Sequence, residues 1–150
     1  MSKKEPPRGL EERLKDTRAR LENDVDLWVA TAGAGGVHLV PLSYLWDGTA
    51  IVISTPRDSV TGRNLLAGGQ VRLGLGQTRD VVMVDGDAQP VDVADLGPAA
   101  DDFAARTGFD PRELTDPYQY FRIRPRRIQA WREANELAGR GLMRDGTWTG

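Results

Sequence analysis

Two segments bring together residue types able to hold an anionic or planar ligand. The first is Ser54-Thr55-Pro56-Arg57-Asp58-Ser59-Val60-Thr61-Gly62-Arg63-Asn64. It follows an apolar run and leads into a short helical pattern. Hydroxyls, two guanidiniums and free backbone N–H groups at a helix start can bind a phosphate. A polar loop closed by a Ser/Thr cap is the plainer reading of the same residues. The second segment runs from Phe121 to Glu133, FRIRPRRIQAWRE. Period two puts Arg122, Arg124 and Arg126 on one strand face. A solvated basic edge that discourages strand pairing accounts for them equally well.

Other chemistry is absent or weakly signalled. Cys is missing altogether, which excludes thiolate catalysis, disulfides and Cys-bound metals. The single His, His38, cannot build a multi-His metal site within one chain, and its apolar strand suits a buried or interface imidazole better than a catalytic base. No metal site and no acid–base catalyst are expected. Thr31–Gly36 is rich in glycine but opens a strand, whereas a dinucleotide loop must open a helix. Neither a phosphate-binding P-loop nor a nucleophile elbow occurs. Asp85 and Asp87 fit a hairpin turn, and Asp101-Asp102 fits a solvated helix face.

The charge balance argues against nucleic acid as a partner. Lys and Arg number 20 against 22 Asp and Glu, a net charge of −2. A sequence-blind nucleic-acid binder is normally basic. The N-terminus lacks the apolar run of a signal peptide, and no run is long enough to span a membrane. The expectation is a cytoplasmic protein without a membrane partner.

The elements that must position these residues read as follows. Residues 1–24 form a tail and a surface helix over about 10–22, docked by Leu14 and Leu21. Residues 25–150 form the functional domain. Leu27–Ala32 reads as a strand and 33–36 as a turn. Val37–Trp46 is apolar on both faces, so one face lines a core and the other needs a cover, a partner subunit or a planar ligand. Asp47-Gly48 signals a hairpin returning through Ala50–Ser54. Strands follow at 71–75 and 81–84, with a weak continuation over 88–93. A helix then carries Leu96, Phe103 and Thr107 on one face and stops at Gly108. Pro125 places the late strand 121–128 at an edge or a bulge. Residues 133–141 read as helical, and 142–148 as a last hairpin. The class is α+β, mainly β, with about six strands in a small barrel.

The order of these motifs resembles the pyridoxamine-phosphate-oxidase-like, flavin-binding split-barrel family. The likeness covers roughly residues 25–132. It rests on the doubly apolar strand, the hairpin, the Ser-Thr strand end and the hydroxyl/Arg loop. It continues through NLLAGGQVRLGLG at 64–76, TRDVVMVDGDA at 78–88 and YFRIRPRRIQAW at 120–131. The resemblance implies a split β-barrel of six antiparallel strands with peripheral helices. It also implies a homodimer and a cofactor, FMN or the deazaflavin F-420, at the subunit interface. Relatives that bind haem, or flavin without turnover, make a non-catalytic binding module the alternative.

The family's phosphate-holding Ser-Arg-Lys stretch falls on Ser59-Val60-Thr61, where both cations are missing. Arg57 and Arg63 are the replacements expected to supply charge. Ser54, Thr55, Thr61 and Asn64 complete that set. Pro41, Leu42, Ser43 and Tyr44 are expected along the ring edge, with Trp131 shielding the ring. Thr78, Arg79 and Asp80 are expected to approach from the opposite side of the barrel or from the partner. The oxidase's substrate-holding Arg and His fall near Leu137 and Gly139. Both side chains are absent, so a true pyridoxamine-phosphate oxidase is not expected. The implied function is hydride transfer between the cofactor and a small organic substrate.

Overall fold

Short apolar runs separated by tight turns make antiparallel neighbours, and the chain uses this rule throughout. The computed structural model describes residues 5–150. Helix α1 spans Leu10–Asn23. Strands β1 (Asp26–Gly33), β2 (Gly36–Ser43), β3 (Leu45–Trp46) and β4 (Ile51–Pro56) follow. Helix α2 (Val60–Gly68) leads to the long hairpin of β5 (Gln70–Gln77) and β6 (Asp80–Val91). Helices α3 (Val93–Leu96) and α4 (Pro98–Thr107) precede β7 (Tyr118–Trp131). Strands β8 (Gly141–Arg144) and β9 (Thr147–Trp148) close the chain.

The nine strands of the described residues join one antiparallel sheet in the order β2-β1-β5-β6-β7-β4-β3, with β8 paired to β7 and β9 to β8. The sheet curls into a split barrel. Its interior is filled by the alternate residues of each strand, among them Val29, Leu73, Val84, Ile53, Phe121, Ile123 and Ile128. Each fully buried side chain of this size contributes about 1.5–3 kcal/mol. A second cluster lies on the other face of β4 and β7, where Leu96, Ala100 and Phe103 of α3 and α4 cover Val52 and Tyr120. Leu14 and Leu21 dock α1 on the barrel as expected, each nearly fully buried.

Several expectations need correction. The strand at 37–46 breaks at Tyr44, whose ring turns into the core. Asp85-Gly86 ends no strand and Asp85 and Asp87 make no hairpin turn: β6 runs through them to Val91, so the weak continuation expected over 88–93 holds as far as Val91. The late strand does not lie at an edge: β7 is central, paired with β6 on one side and with β4 and β8 on the other. Pro125 is accommodated there by a bulge, because the β6–β7 register shifts between Asp85 and Gly86. Residues 133–141 hold only a single 3-10 turn at Ala134–Glu136. Glycine and the ion pair of Glu136 with Arg8 dominate that segment rather than helix-forming contacts. Among the described residues no helix is long and apolar enough to cross a membrane.

Candidate functional site

The hydroxyl/Arg segment folds as a strand end, a turn and a capped helix. The Ser59 side chain caps α2 by accepting from Gly62 N at 3.0 Å, and its hydroxyl donates to Pro56 O at 2.8 Å. Thr55 Oγ1 lies 3.1 Å from Ser59 Oγ. Arg63 N bonds Ser59 O, so α2 begins with the N–H groups of Val60 and Thr61 directed out of the helix and unclaimed by it. Gly62 is required here: a Cβ would stand 2.5 Å from Pro56 O and 2.8 Å from Arg57 O. Arg57 Nη1 donates to Gln119 Oε1 at 2.6 Å, and Gln119 in turn donates to the carbonyls of Val91 and Tyr120. Arg63 is exposed one turn into the helix. Asn64 Nδ2 donates to Thr31 Oγ1 at 3.0 Å, tying α2 to β1. Thr61 is buried under the helix.

Thr55, Arg57, Ser59, Thr61, Arg63 and Asn64 thus gather at one end of the barrel. Ser54 does not join them. It is paired with Tyr120 across the strands and faces the α3–α4 side, since successive strand residues point oppositely. Its buried Oγ has no hydrogen-bond partner.

Tyr44 also leaves the predicted set. Its ring is fully buried and its hydroxyl donates to the carbonyls of Arg20 and Leu21, at 3.2 and 3.0 Å. Burial pushes its ionisation upward, so it stays a neutral donor that satisfies the end of α1. Ser43 donates to Asp26 Oδ1, and Leu42 packs inward against the barrel core. Asp80 is committed to ion pairs with Arg20 at 3.0 Å and Arg132 at 3.4 Å, which pin the β5–β6 turn to α1.

Pro41, Thr78, Arg79 and Trp131 lie elsewhere. Pro41 is on the outer sheet face beside Trp28, with Gly74 and Met83 next along the register. Trp131 pairs with Val81 on the same outer face. An apolar cleft of about 290 Å³ opens on this face between Trp28, Leu39, Gly74, Val81 and Met83, with Thr78 at its rim. Trp28 is 51% exposed, Leu39 59% and Val37 86%. Within one chain this face is bare. The turn at Thr78-Arg79 sits at the end of the barrel away from α2, at the far end of β5, a strand about 23 Å long at the usual rise. Pro41 and Trp131 are separated by β1, β5 and β6, about 19 Å at the usual strand spacing. The predicted residues therefore form two groups, a polar one at α2 and an apolar one on the outer face.

Residues 14–132 match the family profile of pyridoxamine 5'-phosphate oxidase. The chain belongs to the pyridoxamine 5'-phosphate oxidase family. Solved structures of similar fold include a FAD-binding protein from Mesorhizobium loti, 19% identical with a TM-score of 0.64, covering 77% of this chain and 89% of that one. Campylobacter jejuni ChuZ aligns at 12% identity with a TM-score of 0.74, over 95% of this chain and 63% of its own. An F-420 reductase aligns at 17% identity with a TM-score of 0.59, over 74% and 94%. At these identities the likeness establishes the fold alone. No curated protein matches the chain in sequence.

Sequence reasoning missed Gln119, which anchors Arg57 from 62 residues away and carries no local signal. It also missed Glu136, buried near the end of β7 and bonded to Arg8 and to Arg132 N.

Proposed function

We propose that this chain binds a flavin-type cofactor, FMN or the deazaflavin F-420, between two copies of itself and transfers hydride to or from a small organic substrate. The observation that carries this reading is the α2 start, where two outward N–H groups and the guanidiniums of Arg57 and Arg63 lie together, while the hydroxyl protons of Thr55 and Ser59 are engaged within the turn. Such a donor set suits a phosphate, since helix-start amides and guanidiniums both favour oxyanions. The missing Ser-Arg-Lys cations are replaced by arginines two residues before and four after Ser59. Fold relatives described as a FAD-binding protein and an F-420 reductase support a flavin-type ligand.

The separation of the two groups supports the two-copy arrangement. Within one chain the α2 start and Trp131, which pairs with Val81 beside the β5–β6 turn, lie toward opposite ends of the barrel. A second copy laid on the outer face of Trp28, Val37 and Leu39 covers that apolar surface and brings its own residues to the ligand. The bound cofactor supplies the hydride chemistry. The chain's own residues then anchor the phosphate at α2, provide an apolar wall at Trp28 and Leu39, and exclude water.

The test is the absorption spectrum of the protein titrated with FMN, F-420 and haem. Saturable binding of FMN or F-420, weakened about tenfold or more by Arg63→Ala, supports the reading. Binding of none of the three overturns it. A bound flavin that can be reduced but not reoxidised by any substrate favours the non-catalytic module.

A further inference from the structure

We propose that the groove between the end of β7 and β8 is a second ligand site, which binds a small polyanion through Arg127, Arg140 and Arg144. The groove holds about 670 Å³ and all of its charged lining is positive. The register shows why this is unusual. Ile128 pairs with Met143, both buried, so the next residues outward on the two strands are Arg127 and Arg144. Two exposed guanidinium side chains thus stand across from each other on one face. Like charges directly opposite in a sheet are destabilising.

Two neighbouring arginines are neutralised. Arg72 binds Asp85 at 2.6 Å and Arg126 binds Asp87 at 2.8 Å. Arg127, Arg140 and Arg144 form no ion pair with any described residue. Arg140 is held in place by donating Nη1 to Leu137 O at 2.9 Å and by accepting Ala130 N on its own carbonyl at 3.0 Å. Its other guanidinium donors remain available. Asp85 stands opposite Arg127 on β6, but its carboxylate is held by Arg72, so the three cations suit a multiply charged oxyanion, which guanidiniums bind in a bidentate manner. Leu137, 41% exposed, adds an apolar wall, so the anion fits best as the charged end of an organic molecule.

This site is separate from the α2 anchor, while Arg127 shares the outer face of β7 with Trp131, and Leu137 and Gly139 stand where the resemblance places the oxidase's substrate-holding residues. Arg127 lies eight residues along β7 from Gln119, about 26 Å at the usual rise. The charged group is a phosphate or a carboxylate, and the test separates the two.

The experiment is calorimetric titration of the full chain with pyrophosphate and, separately, with citrate, at two salt concentrations. The expected result is saturable binding at one site per chain. Arg127→Gln and Arg144→Gln should each weaken it about tenfold or more, whereas Arg126→Gln leaves it unchanged. The anion that binds more tightly identifies the group as phosphate or carboxylate. Without anion, Arg144→Gln does not lower the Tm, since it removes a repulsive partner. Absence of saturable binding with both anions overturns the proposal. Equal weakening by Arg126→Gln also overturns it, because that marks diffuse charge rather than a site.

Discussion

Glu136 is 2% exposed, yet its carboxylate receives four donors. Arg8 supplies its backbone N, Nε and Nη2 at 2.8–2.9 Å, and Arg132 supplies its backbone N at 2.8 Å. The Arg8 guanidinium beside it is the main reason its pKa falls from the usual 4.5 to about 2. That shift corresponds to about 3 kcal/mol of folding stability. The sign follows from the depression: the contribution is complete above pH 4.5 and is lost as the pH falls towards 2. Glu136→Gln leaves the buried Arg8 guanidinium facing an amide. Breaking a buried pair in this way costs about 3–5 kcal/mol, which lowers the Tm by roughly 6–20 °C in a chain of this size. Thermal unfolding followed by circular dichroism between neutral pH and pH 2 checks this. The gap between wild type and variant should be full at neutral pH and close as the acid limit is approached. A gap of under about 2 °C at neutral pH, or one that persists unchanged at pH 2, would refute the reasoning.

Two further outcomes are expected. Gly62→Ala drives a Cβ against the carbonyls of Pro56 and Arg57 and should cost about 1–3 kcal/mol, whereas Gly68→Ala, with open space around it, should stabilise α2 by about 0.4–1 kcal/mol; chemical denaturation of both variants reads the contrast. Leu39→Glu places a charge on the bare outer face and should convert a two-chain species to the 16.5 kDa monomer in sedimentation, and an unchanged mass would remove that face from the proposed interface.

The legible parts of the fold are those set by local pattern. Leu14 and Leu21 give α1 its stripe, Asp47-Gly48 turns a hairpin, and Gly108 ends α4 in the left-handed conformation. Ser59, followed three residues later by Gly62, announced the cap at α2 through hydroxyl chemistry alone. What local pattern does not carry is partnership at a distance. Tyr44 continues the alternation of β2, so nothing nearby indicates that its hydroxyl would meet the end of α1. Asp80 reads as a cofactor contact in the sequence because Arg20 and Arg132, its ion-pair partners, are remote along the chain. Ser54 and Thr55 are adjacent in the chain, and only the register on β7 reveals that they serve opposite faces.

The bulge in β7 works like a frameshift. Before it the odd-numbered residues Phe121, Ile123 and Pro125 point into the protein, and beyond it the even-numbered Ile128 and Ala130 do. One extra residue, Arg126, resets the parity, and Gly86 opposite must stay bare because a Cβ would sit 2.7 Å from Arg124 O. Deleting Arg126 would restore a single phase along the strand. Arg127, Gln129 and Trp131 would still face outward and Ile128 and Ala130 inward, because the bulge absorbs that one residue; an unbroken pleat that kept Arg126 would instead turn them over. The outer-face tryptophan and the arginine groove thus lie in the same shifted frame, and the bulge that absorbs Arg126 keeps both outside.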